Sequence, residues 1–283
     1  MNIKRHCEEK YNFKLPNQVV RAFSYTEYSF DTHSHDFYEM NIVLNGSGIH
    51  QIENAKLNVK RGDVFVIPPM VTHAYYDTKH LEVYHILLKK DFIKLNESES
   101  AKVPGYIQLF ELEPLLRPNC SNPIFLRLTQ KQLAEVINDF KFIEDNGEYI
   151  EDKYTPLKNH TALKIIYFLS DIFNKQLLNE TKPNKQKYTS LILDTLEYIN
   201  YHFPEKLTID FLAERVYLSR STFLRSFKSV CGYSPIEYLN ECRVKKATEL
   251  IETSIMQKTE IAIACGFYDL SHMEKHIKKQ GKT

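Results

Sequence analysis

Between Leu207 and Thr283 one short unit is written twice, and that repetition limits what this chain can fold into more than any other feature. Thr208–Val216 reads as a short helix, Tyr217–Ser219 as a tight turn and Arg220–Val230 as a second helix. The pattern returns as Glu260–Cys265, Gly266–Asp269 and Leu270–Gln280. Leu212-Ala213 maps onto Ile261-Ala262 at an offset of 49, and Phe223 and Phe227 map onto Met273 and Ile277 at an offset of 50, so the second turn is one residue longer. Two helix-turn-helix units account for this period. A single copy is also compatible with a plain helical domain; two copies joined by a helix are much harder to explain without nucleic acid.

The residue types agree. Helices that cross closely need a small side chain at the contact, and Ala213 and Ala262 supply it, while Phe223 and Phe227, at i and i+4, face inward on the second helix. The opposite face carries Arg220, Ser221, Leu224 and Arg225, with Ser219 placed to cap the helix whose first turn would meet base edges. In the second unit the equivalent face is Leu270, Ser271, His272 and Lys275. Between the units, Ser234-Pro235 starts a helix predicted over Pro235–Glu252. Eighteen residues at about 1.5 Å each span roughly 27 Å. With the flanking helices included, two recognition helices would lie about one DNA turn, roughly 34 Å, apart.

Ile261-Ala262-x-x-x-Gly266-Phe267-x-Asp269-x-Ser271, preceded by Phe223, Arg225, Phe227, Lys228, Gly232, Ser234-Pro235 and Tyr238-Leu239, resembles the paired helix-turn-helix domain of AraC/XylS-type transcription regulators over Thr189–Thr283. The resemblance implies that Ser221, Leu224 and Arg225 touch bases in the first unit and Leu270, Ser271, His272 and Lys275 in the second. Two departures stand out. Met273 and Ile277 occupy positions where the family usually has aromatics, and its pattern continues through Thr-Pro, an aromatic and arginine into a closing helix, whereas this sequence stops at Thr283. Either the sequence is a truncation or its second unit lacks a packing partner, and in both cases that unit is expected to be less stable and weaker on DNA.

The 283 residues suffice for two domains, each with its own core. The net charge is +1, but residues 185–283 carry 15 Lys+Arg against 12 Asp+Glu, a mild basic bias in the half with the doubled motif. Cys7, Cys120, Cys231, Cys242 and Cys265 are odd in number, widely spaced and without a CxxC pair, so neither a disulfide framework nor a zinc ribbon is indicated. Met1–Lys14 is charged throughout and no apolar run approaches the roughly 18 residues that cross a bilayer, so a cytoplasmic protein is expected. There is no Gly-rich phosphate loop and no nucleophile elbow, and no catalytic residue is assigned.

From Arg21 to about Leu88 the pattern is one of strands. Glu39–Leu44 and Ile49–Glu53 flank an expected turn at Asn45–Gly48, Lys56–Val59 leads into Arg61-Gly62-Asp63, Val64–Ile67 ends at Pro68-Pro69, and Glu82–Leu88 follows. Short strands with regular turns suggest a small barrel or jelly roll. Within it, His33, His35 and Glu39 share parity and hence one strand face, and His73 would join them from a neighbouring strand. Three imidazoles and a carboxylate suit a divalent transition metal, Zn²⁺, Fe²⁺, Mn²⁺ or Ni²⁺. The same four residues also suit the lining of a small-molecule pocket.

His33-x-His35-x-x-x-Glu39-x6-Gly46 with Gly62-x5-Pro68-x4-His73 resembles the two cupin motifs over Thr32–Asp77, with Met70 where metal-binding cupins usually have glycine. His33–Glu39 followed by Gly46–His50 is most similar to the rhamnose-type sugar regulators. That resemblance implies a sugar effector held by His33, His35, Glu39 and His73, and as partners operator DNA, a second copy of the chain and RNA polymerase.

Beyond a stretch with Pro104, Pro114, Pro118 and Pro123, two helices are predicted. Leu133, Val136, Ile137, Phe140 and Ile143 repeat at helical spacing in Thr129–Asn146, and Ala162, Ile165, Ile166, Leu169, Ile172 and Phe173 do so in Lys158–Gln176. These stripes suit packing within their own domain, and by the family resemblance a dimer interface as well. The expected organisation is a cupin-like β-barrel with helices for ligand binding and dimerisation (1–178), a polar linker (179–187), and an all-α double helix-turn-helix domain (188–283) that lacks the family's final helix. The function expected is a ligand-responsive, sequence-specific transcription regulator; the alternative is a metal-dependent cupin enzyme or a metal sensor using His33, His35, Glu39 and His73.

Overall fold

The computed structural model describes residues 4–5, 13, 15, 17–27, 30–117, 125–144, 154–179 and 188–280. The chain divides into two compact units, Met1–Asn179 and Glu180–Thr283. The expected linker over 179–187 lies outside the described residues except for Asn179, the last residue of a helix.

The first unit is built on one sheet: β1 (Lys4–Arg5), β2 (Val20–Glu27), β3 (Phe30–Ser34), β4 (Tyr38–Ile52), β5 (Ala55–Lys60), β6 (Asp63–Ile67), β7 (His73–Leu88) and β8 (Leu126–Arg127). The strand order is β1-β3-β7-β4-β6-β8, with β2 also pairing β7 and β5 also pairing β4. Every pairing is antiparallel except β1 with β3. The expected barrel is therefore barrel-like but not closed. β4 and β7, at 15 and 16 residues, run side by side as its spine. Val43, Ile52, Leu57, Val59, Phe65, Leu81 and Val83 form a core on its inner side.

The turn expected at Asn45–Gly48 does not reverse the chain. β4 runs straight through it, and the ladder to β7 shifts register three times between Val43 and Ile49. Gly46 takes φ +75°, and a Cβ there would sit 2.1 Å from the His80 carbonyl oxygen, so the glycine serves a bulge pressed against β7. The reversal comes later, at Glu53-Asn54, where Glu53 has φ +50°.

Helices follow: α1 (Lys90–Ser100), a π-helical turn (Gln108–Leu112), α2 (Glu113–Leu116), α3 (Gln130–Ile143) and α4 (Thr155–Asn179). The first three were not signalled by the prolines around them. A reciprocal box between Thr129 and Gln132 caps α3. Apart from half-buried Ile137, the apolar stripes of α3 and α4 are buried within this unit, with Phe140 stacked on Tyr84 at 3.5 Å between ring centroids.

The second unit contains α5 (Thr189–His202), α6 (Ile209–Arg215), α7 (Arg220–Cys231), α8 (Pro235–Thr253), α9 (Lys258–Ala264) and α10 (Leu270–Gln280). Each predicted helix is present within about two residues, the usual scatter of helix ends. Gly232 ends α7 in the left-handed conformation, and Ser234 with Glu237 forms a capping box for α8. Ala213, Phe223 and Phe227 are buried in the first half. Ala262, Cys265, Phe267 and Met273 share a core with Val244 and Ala247 of α8 in the second, against which Ile277 packs. Met273 is fully buried, so the thioether fills the place of the expected aromatic.

Candidate functional site: two helical faces and a buried histidine–carboxylate cluster

The two turns open with the same backbone hydrogen bonds, the second being one residue longer. In the first, Tyr217 N–H donates to Glu214 O and Leu218 N–H to Ala213 O; in the second, Gly266 N–H donates to Ile263 O and Phe267 N–H to Ala262 O. Ser219 Oγ accepts from Thr222 N–H at the start of α7, and Asp269 Oδ1 accepts from His272 N–H at the start of α10. On α7, Arg220, Ser221 and Arg225 are exposed and Leu224 is half-buried. Arg220 is held by Asp210 of α6 at 2.5 Å, while Arg225 extends from the middle of the helix. On α10, Ser271 and Lys275 are exposed and His272 is half-buried, its Nε2 3.2 Å from that of His276. Leu270, at the start of α10, is half-buried like Leu224 and packs in part against the second-half core.

In the first unit, cross-strand pairing assembles the polar cluster. His33 stands opposite His73, Asn41 opposite His85, and His50 opposite Tyr75, and residues directly opposite share a face. Glu39 is the hub. His85 Nδ1 lies 2.6 Å from Oε1, while His35 Nε2 and His73 Nε2 lie 3.0 and 3.2 Å from Oε2. His35, Glu39, Asn41, His50, His73 and His85 are all buried. One ligand atom each from His33, Glu39 and His73 falls within 4.8 Å of the others. Thus the four residues expected from sequence are brought together, and His85, His50, Asn41 and Tyr75 join them.

Burial pushes the Glu39 carboxyl up, but the imidazoles of His35, His73 and His85 packed against it and the charge of His73 outweigh it and hold it well below the usual carboxylate range. Burial, with His73 and Arg117 nearby, pushes His50 well down. His35 Nδ1 is 2.7 Å from the Phe37 carbonyl oxygen, which requires a proton on Nδ1. In the neutral ring Nε2 is then a lone pair directed toward a carboxylate, and although it lies within ion-pair distance it is not aligned as a hydrogen bond. A cation between the two groups would satisfy both.

An exposed, capped helix in each of two matched turns, beside a separate sheet unit with a polar interior, defines a transcription regulator that binds DNA with one unit and a ligand with the other. Residues 212–282 match the family model described as a helix-turn-helix domain, and residues 15–120 match that of the AraC-like ligand binding domain. The chain belongs to the AraC/XylS family of transcription regulators. It is 25% identical over 252 residues to the HTH-type transcriptional activator RhaS of Citrobacter koseri, covering 89% of this chain and 84% of that protein. It is 27% identical over 255 residues to RhaS of Salmonella arizonae, with the same coverage. Among solved structures, the DNA-binding domain of AdpA in complex with a target DNA matches 31% of this chain and 80% of its own, at 34% identity and a TM-score of 0.31. Among the described residues, no helix is long and apolar enough to cross a membrane.

Proposed function

We propose that this chain is a cytoplasmic transcription activator that reads DNA with α7 and α10 and answers to a small polyhydroxylated effector of the sugar class. Its similarity to RhaS activators across 89% of its length carries the reading. Arg220, Ser221, Leu224 and Arg225 of α7 and Leu270, Ser271, His272 and Lys275 of α10 form the DNA-facing set, with phosphate contacts supplying affinity and base contacts specificity. It acts as a homodimer that engages RNA polymerase, with the α3 and α4 region as the expected place of contact with the second copy.

The effector meets the His33, His35, Glu39 and His73 cluster, extended by Asn41 and His50. Both nitrogens of His50, Nδ1 of His73 and Oδ1 of Asn41 are buried without a hydrogen-bond partner, and Tyr75 and Phe65 flank His50 with ring faces and edges. Hydroxyls and C–H faces of a sugar match such a lining. Because these groups are closed off from solvent, a sugar reaches them only in a more open arrangement of the sheet, and that difference between states is what links binding to DNA. The test is a duplex selected by the chain from a randomised pool, titrated with and without candidate sugars. A saturable change in affinity supports the reading; no change with any sugar counts against it.

A second reading is favoured by the convergence of His33, Glu39 and His73 within 4.8 Å. Two imidazoles and a carboxylate, with His35 Nε2 turned the same way, fit Zn²⁺ or a similar divalent ion without any opening. Such an ion would tie β3, β4 and β7 together. Metal analysis of the purified chain, with melting temperature followed under chelator, separates the two readings.

A further inference from the structure

The two turns provide an internal control. Their hydrogen bonds coincide, and each puts one residue in the left-handed region, Tyr217 at φ +54° and Gly266 at φ +80°. Glycine takes that conformation without penalty, whereas a bulky side chain there is a true outlier. The second unit uses the unstrained residue and the first does not. Nor does packing account for the tyrosine, since Tyr217 is 96% exposed. A strained backbone position occupied by a fully exposed aromatic, where the same fold uses glycine, is a cost borne for something outside the monomer.

Location says what that is. Tyr217 precedes the capping residue Ser219 by two positions, at the end of α7 where Arg220 and Ser221 begin the exposed face. Where a recognition helix enters the major groove by its first turn, the DNA backbone passes beside the preceding residues. Tyrosine hydroxyls are among the neutral donors that bind phosphate oxygens there. The second turn carries Tyr268, 86% exposed, one position before its own cap Asp269, so both units present a tyrosine beside the recognition helix.

We propose that Tyr217 is a DNA-backbone contact whose hydroxyl donates to a phosphate at the edge of the groove entered by α7. This rests on the reading that α7 faces DNA. The contact positions the helix and carries no base information.

The test uses the full chain and a duplex that the wild type selects from a randomised pool, beside a scrambled duplex. Tyr217→Phe is expected to weaken binding about tenfold on both duplexes. The salt dependence should not change, because no cation is removed. Tyr217→Gly is expected to lose at least as much affinity while raising the melting temperature by a few degrees, as strain is relieved. Unchanged affinity in Tyr217→Phe overturns the hydroxyl contact, and a loss confined to the selected duplex overturns the phosphate assignment. A lower melting temperature in Tyr217→Gly makes the residue a folding element and overturns the argument from strain. A wild-type chain that enriches no duplex overturns the placing of α7 on DNA itself.

Discussion

His85 Nδ1 and Glu39 Oε1 meet at 2.6 Å in the closed interior of the sheet, and the other carboxylate oxygen faces His35 and His73. Removing the shared partner leaves buried imidazoles without their counter-charge, which costs far more than an exposed pair would. Glu39→Ala is expected to lower unfolding stability by roughly 3–5 kcal/mol, and Glu39→Gln by less, since the amide oxygen still accepts one hydrogen bond. Urea denaturation of both variants checks the order.

On α7, Arg220 and Arg225 are both exposed, but Arg220 is already paired with Asp210. Arg225→Ala should therefore weaken binding to a selected duplex by about 1–3 kcal/mol and relax sequence preference at one position. Arg220→Ala should act mostly on affinity across all sequences. Equal losses by Arg225→Ala on selected and scrambled duplexes would reduce it to a phosphate contact.

Gly46 is fixed by backbone rather than by side-chain packing. Its φ of +75° and the 2.1 Å approach of a built Cβ to the His80 carbonyl leave no room for alanine. Gly46→Ala is expected to destabilise the first unit by more than about 1 kcal/mol, because β4 and β7 must part at their bulge. Thermal unfolding of the full chain should show the loss.

In the second unit both helix-turn-helix pairs and the helix between them are legible in the sequence to within about two residues, though α5 is not, because their boundaries are local devices: Ser219, Ser234-Pro235 and Gly232 cap or end helices through short-range bonds. How far Leu270 is covered is not legible there, because it depends on what packs beneath the helix. The sheet was harder. His73, Tyr75 and His85 share parity along β7, but only the register, which sets Asn41 opposite His85, puts them on one face with Glu39 and Asn41 of β4. His50 has an even number, and only the register shifts in β4 turn it to face the same cluster opposite Tyr75. A bulge written in glycine looks like a turn until the partner strand is known.

His276 gives the second unit a dependence on pH. Burial, the neighbouring His272 and the charges of Lys279, Lys275 and Arg243 lower its pKa below the ordinary value. At alkaline pH the ring is neutral in both folded and unfolded chains and contributes nothing. As pH falls through about 6.5, the unfolded chain takes up a proton that the folded one resists, so stability declines. Denaturation of wild type and His276→Gln at several pH values between about 8 and 5 isolates this contribution, because the sheet's histidines are common to both proteins. The wild type should lose more stability on acidification than the variant; parallel curves would show that His276 titrates alike in both states.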